Sequence, residues 1–504
     1  MVPLARAAAF AAGLALAASA AGAQGSPYLP LDDVAYAYLD ALQARGRLGE
    51  LSLLERPYTV QAVRRALRMP DACALGERLC GAIEAALAKY AQAAPADSAY
   101  VEANVGIYGV AQTSALRELM LADDLSSAGP GFTIRVLLQA GPVSGAFRAI
   151  GDRRLRADPE FPGKKDRVLA GRTEEAYVRA AWRYAELSAG RVGRQWGAPV
   201  VPGLQLSPYS YSYDHLFGRL GGERFHLSAL ATVLDDLPMG GDSAAHRYFS
   251  AHRLAGRFGR WEAGISESIV YGGSHRGLEP ALANPVNMWS LSQYAEDREV
   301  NVAYGADAAW RPRWGGWLAA QLLIDDVQVD AVEEPPSYGA TVAVEGVPAG
   351  PLRAFASYVR VSNLAYRAVN SWERYASYDV GLGAGFSDYD EWRAGLDAAR
   401  LAGIPLRAYL ALRRQGEGDY RSPFPPLDSL ASTKSFLEGV VWSTARVAVS
   451  GAARLPAGIE VVADVGVNRS RNADNVAGRE RTEFEGRLRV AFEPRWARIG
   501  WGIP

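Results

Sequence analysis

The chain has 504 residues with 54 basic and 55 acidic side chains, a net charge of -1. That balance leaves no overall positive field with which to hold nucleic acid. Hydrophobic residues make up 49% of the chain, yet beyond the amino terminus no run approaches the roughly 18 apolar residues a membrane helix requires, which excludes helical spans.

The amino terminus carries an export pattern. Arg6 supplies a short positive region, residues 7–18 form an apolar stretch too short for a stop-transfer helix, and Ala21, Gly22 and Ala23 offer small residues for cleavage. A signal peptide over 1–23 is expected, with the mature chain starting near Gln24. No cysteine adjoins that site, so no lipid anchor is expected there.

Residues 24–95 have helical spacing. Asp32 and Asp33 are placed to cap a helix through Tyr36, Leu39 and Leu42 that stops at Gly46. Thr59 caps a second carrying Val63, Ala66 and Leu67, and a third is predicted over 77–94. This is expected to be a small helical domain at the periplasmic mouth of whatever follows. It holds Cys73 and Cys80, and paired thiols in an oxidising compartment point to a disulfide. One continuous helix would hold these thiols about 10 Å apart, so the bridge requires a bend near Gly76. No histidine lies here to complete a metal site, and no metal or other cofactor is expected.

From residue 96 to 504 apolar and polar residues alternate with the period of a strand. Val101, Ala103, Val105 and Ile107 oppose Tyr100, Glu102, Asn104 and Tyr108. Leu406, Ala408, Leu410 and Leu412 oppose Arg407, Tyr409 and Arg413, and Val461, Ala463, Val465 and Val467 oppose Glu460, Asp464 and Asn468. Phe484, Gly486, Leu488, Val490 and Phe492 oppose Glu483, Glu485, Arg487 and Arg489. Segments of about ten residues with one apolar and one charged face fit tilted membrane strands, whereas strands of soluble sandwiches are nearer five or six. The fold class expected is mainly β, a closed antiparallel transmembrane β-barrel of about 16 to 18 strands with the small α-helical domain in front. Polar stretches at 152–174, 194–223, 271–298, 414–434 and 469–481 are predicted extracellular loops, and Gly141-Pro142 and Leu455-Pro456-Ala457 short periplasmic turns. Between 235 and 375 the long and short connections fall out of phase, so either a strand is miscounted there or a loop folds inward.

Enzyme motifs are few. The chain lacks a Gly-x-Ser-x-Gly elbow, a His-Glu-x-x-His helix and a P-loop, and Gly381, Gly383 and Gly385 fit close strand packing or a barrel bend better than a phosphate cradle. His215, His226, His246, His252 and His275 never reach helical i, i+4 spacing, which leaves only a site assembled across strands.

Several short segments carry a resemblance. They are Gly190 to Gly197 (Gly-Arg-Val-Gly-Arg-Gln-Trp-Gly) followed by Leu206-Ser207-Pro208, then His252-Arg253-Leu254, then Gly264-Ile265-Ser266-Glu267-Ser268 with Tyr271-Gly272, and Leu323-Ile324-Asp325-Asp326. With the Leu31-Asp32-Asp33 region, their order and spacing resemble the capsule-assembly Wzi family of outer-membrane proteins. The resemblance implies an outer-membrane barrel with a periplasmic helical bundle, acting as a lectin that helps attach or organise capsular polysaccharide. Ala198-Pro199 and the Tyr-rich run Pro208 to Tyr213 depart from the family pattern.

Sugar recognition needs flat aromatic faces and groups that read hydroxyls or carboxylates. Trp196, Tyr209, Tyr211 and Tyr213 offer such faces, and Arg191, Arg194 and Arg253, with Glu267, are candidate polar contacts. Girdle aromatics and luminal ion pairs are the competing roles of the same residue types. Asp325 and Asp326 are expected in ion pairs or turns, since two acids supply too few oxygens for calcium. The expected partners are capsular or extracellular polysaccharide, outer-membrane lipid and the barrel-assembly machinery, and a non-enzymatic monomer is expected. A diffusion porin and a barrel enzyme acting on lipid or glycan are the alternatives.

Overall fold

A computed structural model describes residues 25–73, 77–90, 98–114, 118–121, 127–167, 169–240, 243–296, 298–325 and 334–502. The expected signal peptide, Gly76, Ala94 and Asp326 lie outside them. The alternating segments form one antiparallel sheet in which each strand pairs with the next, from Ser98–Gln112 to Glu480–Phe492. It has 20 strand segments. One is a hairpin arm, Leu237–Gly240, and Arg495–Gly502 continues Glu480–Phe492 along the first strand, so 18 strands close the barrel. Closure pairs Gln112 with Arg487, Ile107 with Phe492 and Ser98 with Gly502.

Connections at 141–142, 182–184, 222–224, 259–260, 311–316, 350–351, 398–405 and 455–458 lie at one end, the short-turn end. Those at 153–167, 192–213, 274–296, 362–388, 416–441 and 472–479 lie at the other, the long-loop end. The expected loops were drawn too long. The stretch 194–223 contains the strand Asp214–Gly221, Ala170–Ala181 begins inside 152–174, and 469–481 takes in the ends of Ile459–Arg471 and Glu480–Phe492. Between 235 and 375 the strands alternate regularly, and the loss of phase came from 362–388, which folds inward.

The first helix, Ala35–Gln43, begins where Asp33 Oδ1 accepts the Ala35 amide at 2.9 Å. Asp32 instead pairs with Arg148 of the barrel wall at 2.9 Å. Thr59 caps the helix Val60–Leu67 by accepting the Ala62 amide at 3.1 Å. The third helix, Glu77–Leu87, ends earlier than its apolar spacing suggests. The chain leaves it so that Lys89 Nζ reaches Asp33 at 2.9 Å and Glu460 at 3.0 Å, while the Tyr90 hydroxyl donates to Asp33 at 2.8 Å. A buried ammonium requires such acids, and helix geometry yields to them. Cys73 and Cys80 are bridged, with Cα atoms 5.9 Å apart. Leu39, Leu42, Val63, Ile83 and Leu87 form one core that extends onto Leu137, Tyr177, Ala399 and Ala452, so the helices seal against the short-turn end.

Three segments cross the lumen and pack there. The short strand Glu55–Arg56 pairs with Gln195–Trp196, and the Gly197 amide donates to Leu54 O at 2.9 Å. The Ser207 amide donates to Leu382 O at 2.9 Å, joining 195–207 to 362–388. Leu53, Trp196, Leu204, Tyr366, Tyr375 and Leu382 make a core with the inward residues Phe217, Leu230, Phe249 and Leu323. Gly383 lies where a Cβ would meet Leu204 O at 2.0 Å, and one on Gly385 would meet the Tyr209 ring at 2.3 Å. The glycine triplet therefore marks close packing as its spacing suggests, but in this plug and not in a barrel bend.

Outside, apolar side chains form a continuous belt. Ile107 is 63% exposed and Phe484 62%, and Leu410, Leu412, Ile265 and Val447 stand in the same surface. A soluble protein rarely leaves so large an apolar area in water, whereas a bilayer requires it. Arginine at Leu488, which is 40% exposed on this belt, is expected to cost roughly 2 to 4 kcal/mol and to reduce the heat-modifiable folded form in membrane fractions. Arg487→Gln, on the opposite face, is expected to be tolerated better. Equal loss at the two positions would contradict the assignment of faces.

Candidate functional site

The inward face collects charge and tyrosine from strands far apart in sequence. On the side away from the packed plug this face encloses a chamber of 670 Å³. Tyr108, Tyr409, Arg446, Asp464 and Arg489 come from its strands, Arg154, Asp158 and Tyr211 from the long-loop end, and Asp32 from the helical region.

The acids of this chamber are engaged. Asp464 accepts from Arg446 at 2.7 Å and from the Tyr409 hydroxyl at 2.8 Å. Asp152 pairs with Arg154 and accepts the Tyr108 hydroxyl at 3.0 Å. Asp158 accepts the Tyr211 hydroxyl, and Glu174 meets Arg172 at 3.1 Å. Arg489 differs. Its guanidinium stands 5.1 Å from the Tyr108 ring centre, and among the described residues no carboxylate lies within 4.0 Å of it. Such a wall can read sugar hydroxyls with phenols and carboxylates, offer ring faces for stacking, and meet one carboxylate through an arginine whose charge is not already paired.

The residues singled out by sequence are dispersed. Tyr211 enters the chamber, with Arg172 4.0 Å from its ring centre. Tyr209 packs edge-on against Phe386, and Tyr213 against His215, both at 5.7 Å. Trp196 is buried in the plug core. Arg194 is buried beside it, donating to His215 Nε2 at 2.9 Å and Ser188 Oγ at 3.0 Å with Phe217 under its guanidinium at 3.5 Å. Arg253 is fully buried, held by Asp307 at 2.9 and 2.5 Å and by Glu55, and tethers the plug to the wall. Burial raises the Glu55 carboxyl, but Arg253 and His226 outweigh it and hold that group well below the usual carboxylate range.

Arg191 and Glu267 stand apart from the chamber. Strand alternation puts both on the outer wall, because Gly190 and Ser266 take the inward positions. Arg191 pairs there with Asp214 at 2.6 Å. Glu267 accepts the Trp289 and Ser290 amides at 2.9 and 2.7 Å under the connection 274–296, with His252 at 3.4 Å. Asp325 accepts the Tyr366 amide at 2.7 Å, which supports a turn of the plug. Tyr108, Tyr409 and Arg489 were legible as luminal, but nothing local to any of them says that they meet. Glu55 and Asp307, which fix Arg253, had no sequence signal at all.

Fold and lumen together define a class: a closed 18-strand barrel of the outer-membrane kind, with an apolar belt, a packed plug and a polar chamber. Wzi, an outer-membrane protein involved in group 1 capsule assembly in Escherichia coli and a carbohydrate-binding β-barrel, is similar in structure. The TM-score is 0.62 at 10% identity, over 93% of this chain and 99% of Wzi. OprD of Pseudomonas aeruginosa matches with TM-score 0.42 and 12% identity over 78% of this chain and 95% of its own. OccD3 of the same organism matches with 0.44 and 10% over 79% and 92%. No protein-family model and no curated protein matches the sequence.

Proposed function

We infer that this chain is an outer-membrane protein that binds a surface polysaccharide, capsular or extracellular, and helps hold or assemble it at the cell surface. The helical region faces the periplasm in this reading, and the long-loop end faces outward. One observation carries it: the chamber toward the long-loop end joins tyrosine faces and hydroxyl-reading acids to Arg489, which among the described residues has no carboxylate within 4.0 Å and only the longer-range charge of Asp32 near it. The fold shared with Wzi, a carbohydrate-binding barrel, supports the same assignment. The plug counts against a diffusion porin, whose lumen must stay open.

The test is binding of the cell's own surface polysaccharide by the purified barrel. Arg489→Gln removes one charge-assisted contact, an interaction of about 1.5–3 kcal/mol, so affinity is expected to fall about tenfold or more with unchanged thermal melting. Tyr211→Ala is expected to weaken retention similarly. Wild-type affinity in both variants would rule out the chamber as the binding site.

A further inference from the structure

A second hollow, of 690 Å³, opens at the short-turn end between the helical region and the turns 182–184 and 222–224. Its acids are all matched. Glu55 has Arg253 and His226, Glu186 has Arg179, Glu223 and Glu50 have Arg65, and Glu262 has Arg257 and Arg311. Of its arginines, Arg56, Arg65, Arg179 and Arg257 have acid partners and three do not. Among the described residues Arg183, Arg194 and Arg219 have no carboxylate within 4.0 Å. Arg194 and Arg219 instead meet ring nitrogens, His215 Nε2 at 2.9 Å and His226 Nδ1 at 3.0 Å, and Arg183 lies 4.9 Å from the Tyr184 ring centre. Arg194 and Arg219 act on Glu186 and Glu55 only at longer range, Arg194 through the Tyr28 hydroxyl. Guanidiniums without a direct carboxylate that face a common space attract an anion, and here they come from three separate backbone segments.

A further observation points the same way. Among the described residues the buried indole N–H of Trp182 has no acceptor, and Trp182 and Tyr184 stand together on the turn that borders the hollow. A buried donor without an acceptor costs free energy unless a ligand or water accepts from it. The volume lies within the range of small-ligand pockets, roughly 300–1,000 Å³.

We propose that this cleft is a separate binding site for a carboxylate-bearing sugar chain, with Arg183, Arg194 and Arg219 meeting the carboxylates and Trp182 and Tyr184 bordering the sugar rings. A planar carboxylate suits the paired donors of arginine, and aromatic borders suit a pyranose face better than a bare inorganic anion. The site is distinct from the long-loop chamber, since no residue lines both. The inference therefore stands or falls independently of the proposed function.

The experiment titrates the full-length barrel in detergent with trigalacturonate, maltotriose and inorganic phosphate, in wild type, Arg183→Gln, Arg219→Gln and Arg489→Gln, with thermal melting of each. Arg183 lies on an exposed turn, so its variant tests the site even where Arg219→Gln lowers stability. The expected result is trigalacturonate binding that weakens about tenfold in each of the two cleft variants, survives Arg489→Gln, and is not matched by maltotriose or phosphate. Binding that is lost only in Arg489→Gln, or no binding at all, overturns the proposal. Phosphate binding as tightly as trigalacturonate overturns the assignment to a glycan.

Discussion

Arg253→Met is expected to destabilise the barrel by about 3–5 kcal/mol, the usual cost of leaving buried charge without its partner. Arg253 is 0% exposed and holds two acids, Asp307 on the neighbouring wall and Glu55 on the plug, so its loss strands the buried Asp307 and leaves Glu55 with His226 alone. The plug then loses its ionic tether to the wall. Arg191→Gln is the control, because the Arg191–Asp214 pair is exposed on the outer wall and should be worth at most about 1 kcal/mol. Heat-modifiable gel mobility measures both, and equal melting of the two variants would show that the Arg253 cluster carries no special load. Asp307→Asn in the Arg253→Met background should restore part of the loss, since it removes the stranded charge. The pH dependence has a definite sign. The Glu55 carboxyl is depressed when folded, so its contribution is complete above the ordinary glutamate value of about 4.3 and is lost as pH falls through the depressed one.

How far such features can be read in advance depends on their range. Alternation is local, and it identified the faces of the strands at Val101, Leu406, Val461 and Phe484 without any tertiary information. Caps are local too, which is why Asp33 and Thr59 act where their spacing places them. Residues that depend on distant partners were not legible in that way. Glu267 and Arg191 looked like binding groups by residue type, yet a one-residue step along a strand sends a side chain to the opposite face, and both point out. The third helix ended early because Lys89 answers Glu460, a partner 371 residues away. The connection 362–388 disturbed the count of strands because its apolar residues face the plug core, so its hydrophobicity resembles that of wall.

The packed lumen also has a direct electrical consequence. An 18-strand barrel with an empty bore is wide enough to leave an aqueous channel. Here the hydrogen bonds from Arg247 to Trp372 O and Ala376 O, both at 2.9 Å, and from the Tyr375 hydroxyl to Gln205 O at 2.7 Å hold two crossing segments against the wall and against each other. In planar bilayers the wild-type barrel is therefore expected to pass no steady porin-like current. Replacing residues 364–386 with a short Gly-Ser link removes one of those segments together with Tyr366, Tyr375 and Leu382, and is expected to produce steady current from barrels that still fold. The pair of recordings separates the two classes of function. Large steady conductance in the wild type, with no detectable binding of the cell's surface polysaccharide, would replace the binding function with a porin. A silent wild type beside a conducting deletion would mean that the chain spends its plug on closing the bore, which a diffusion pore cannot do and a binding protein can.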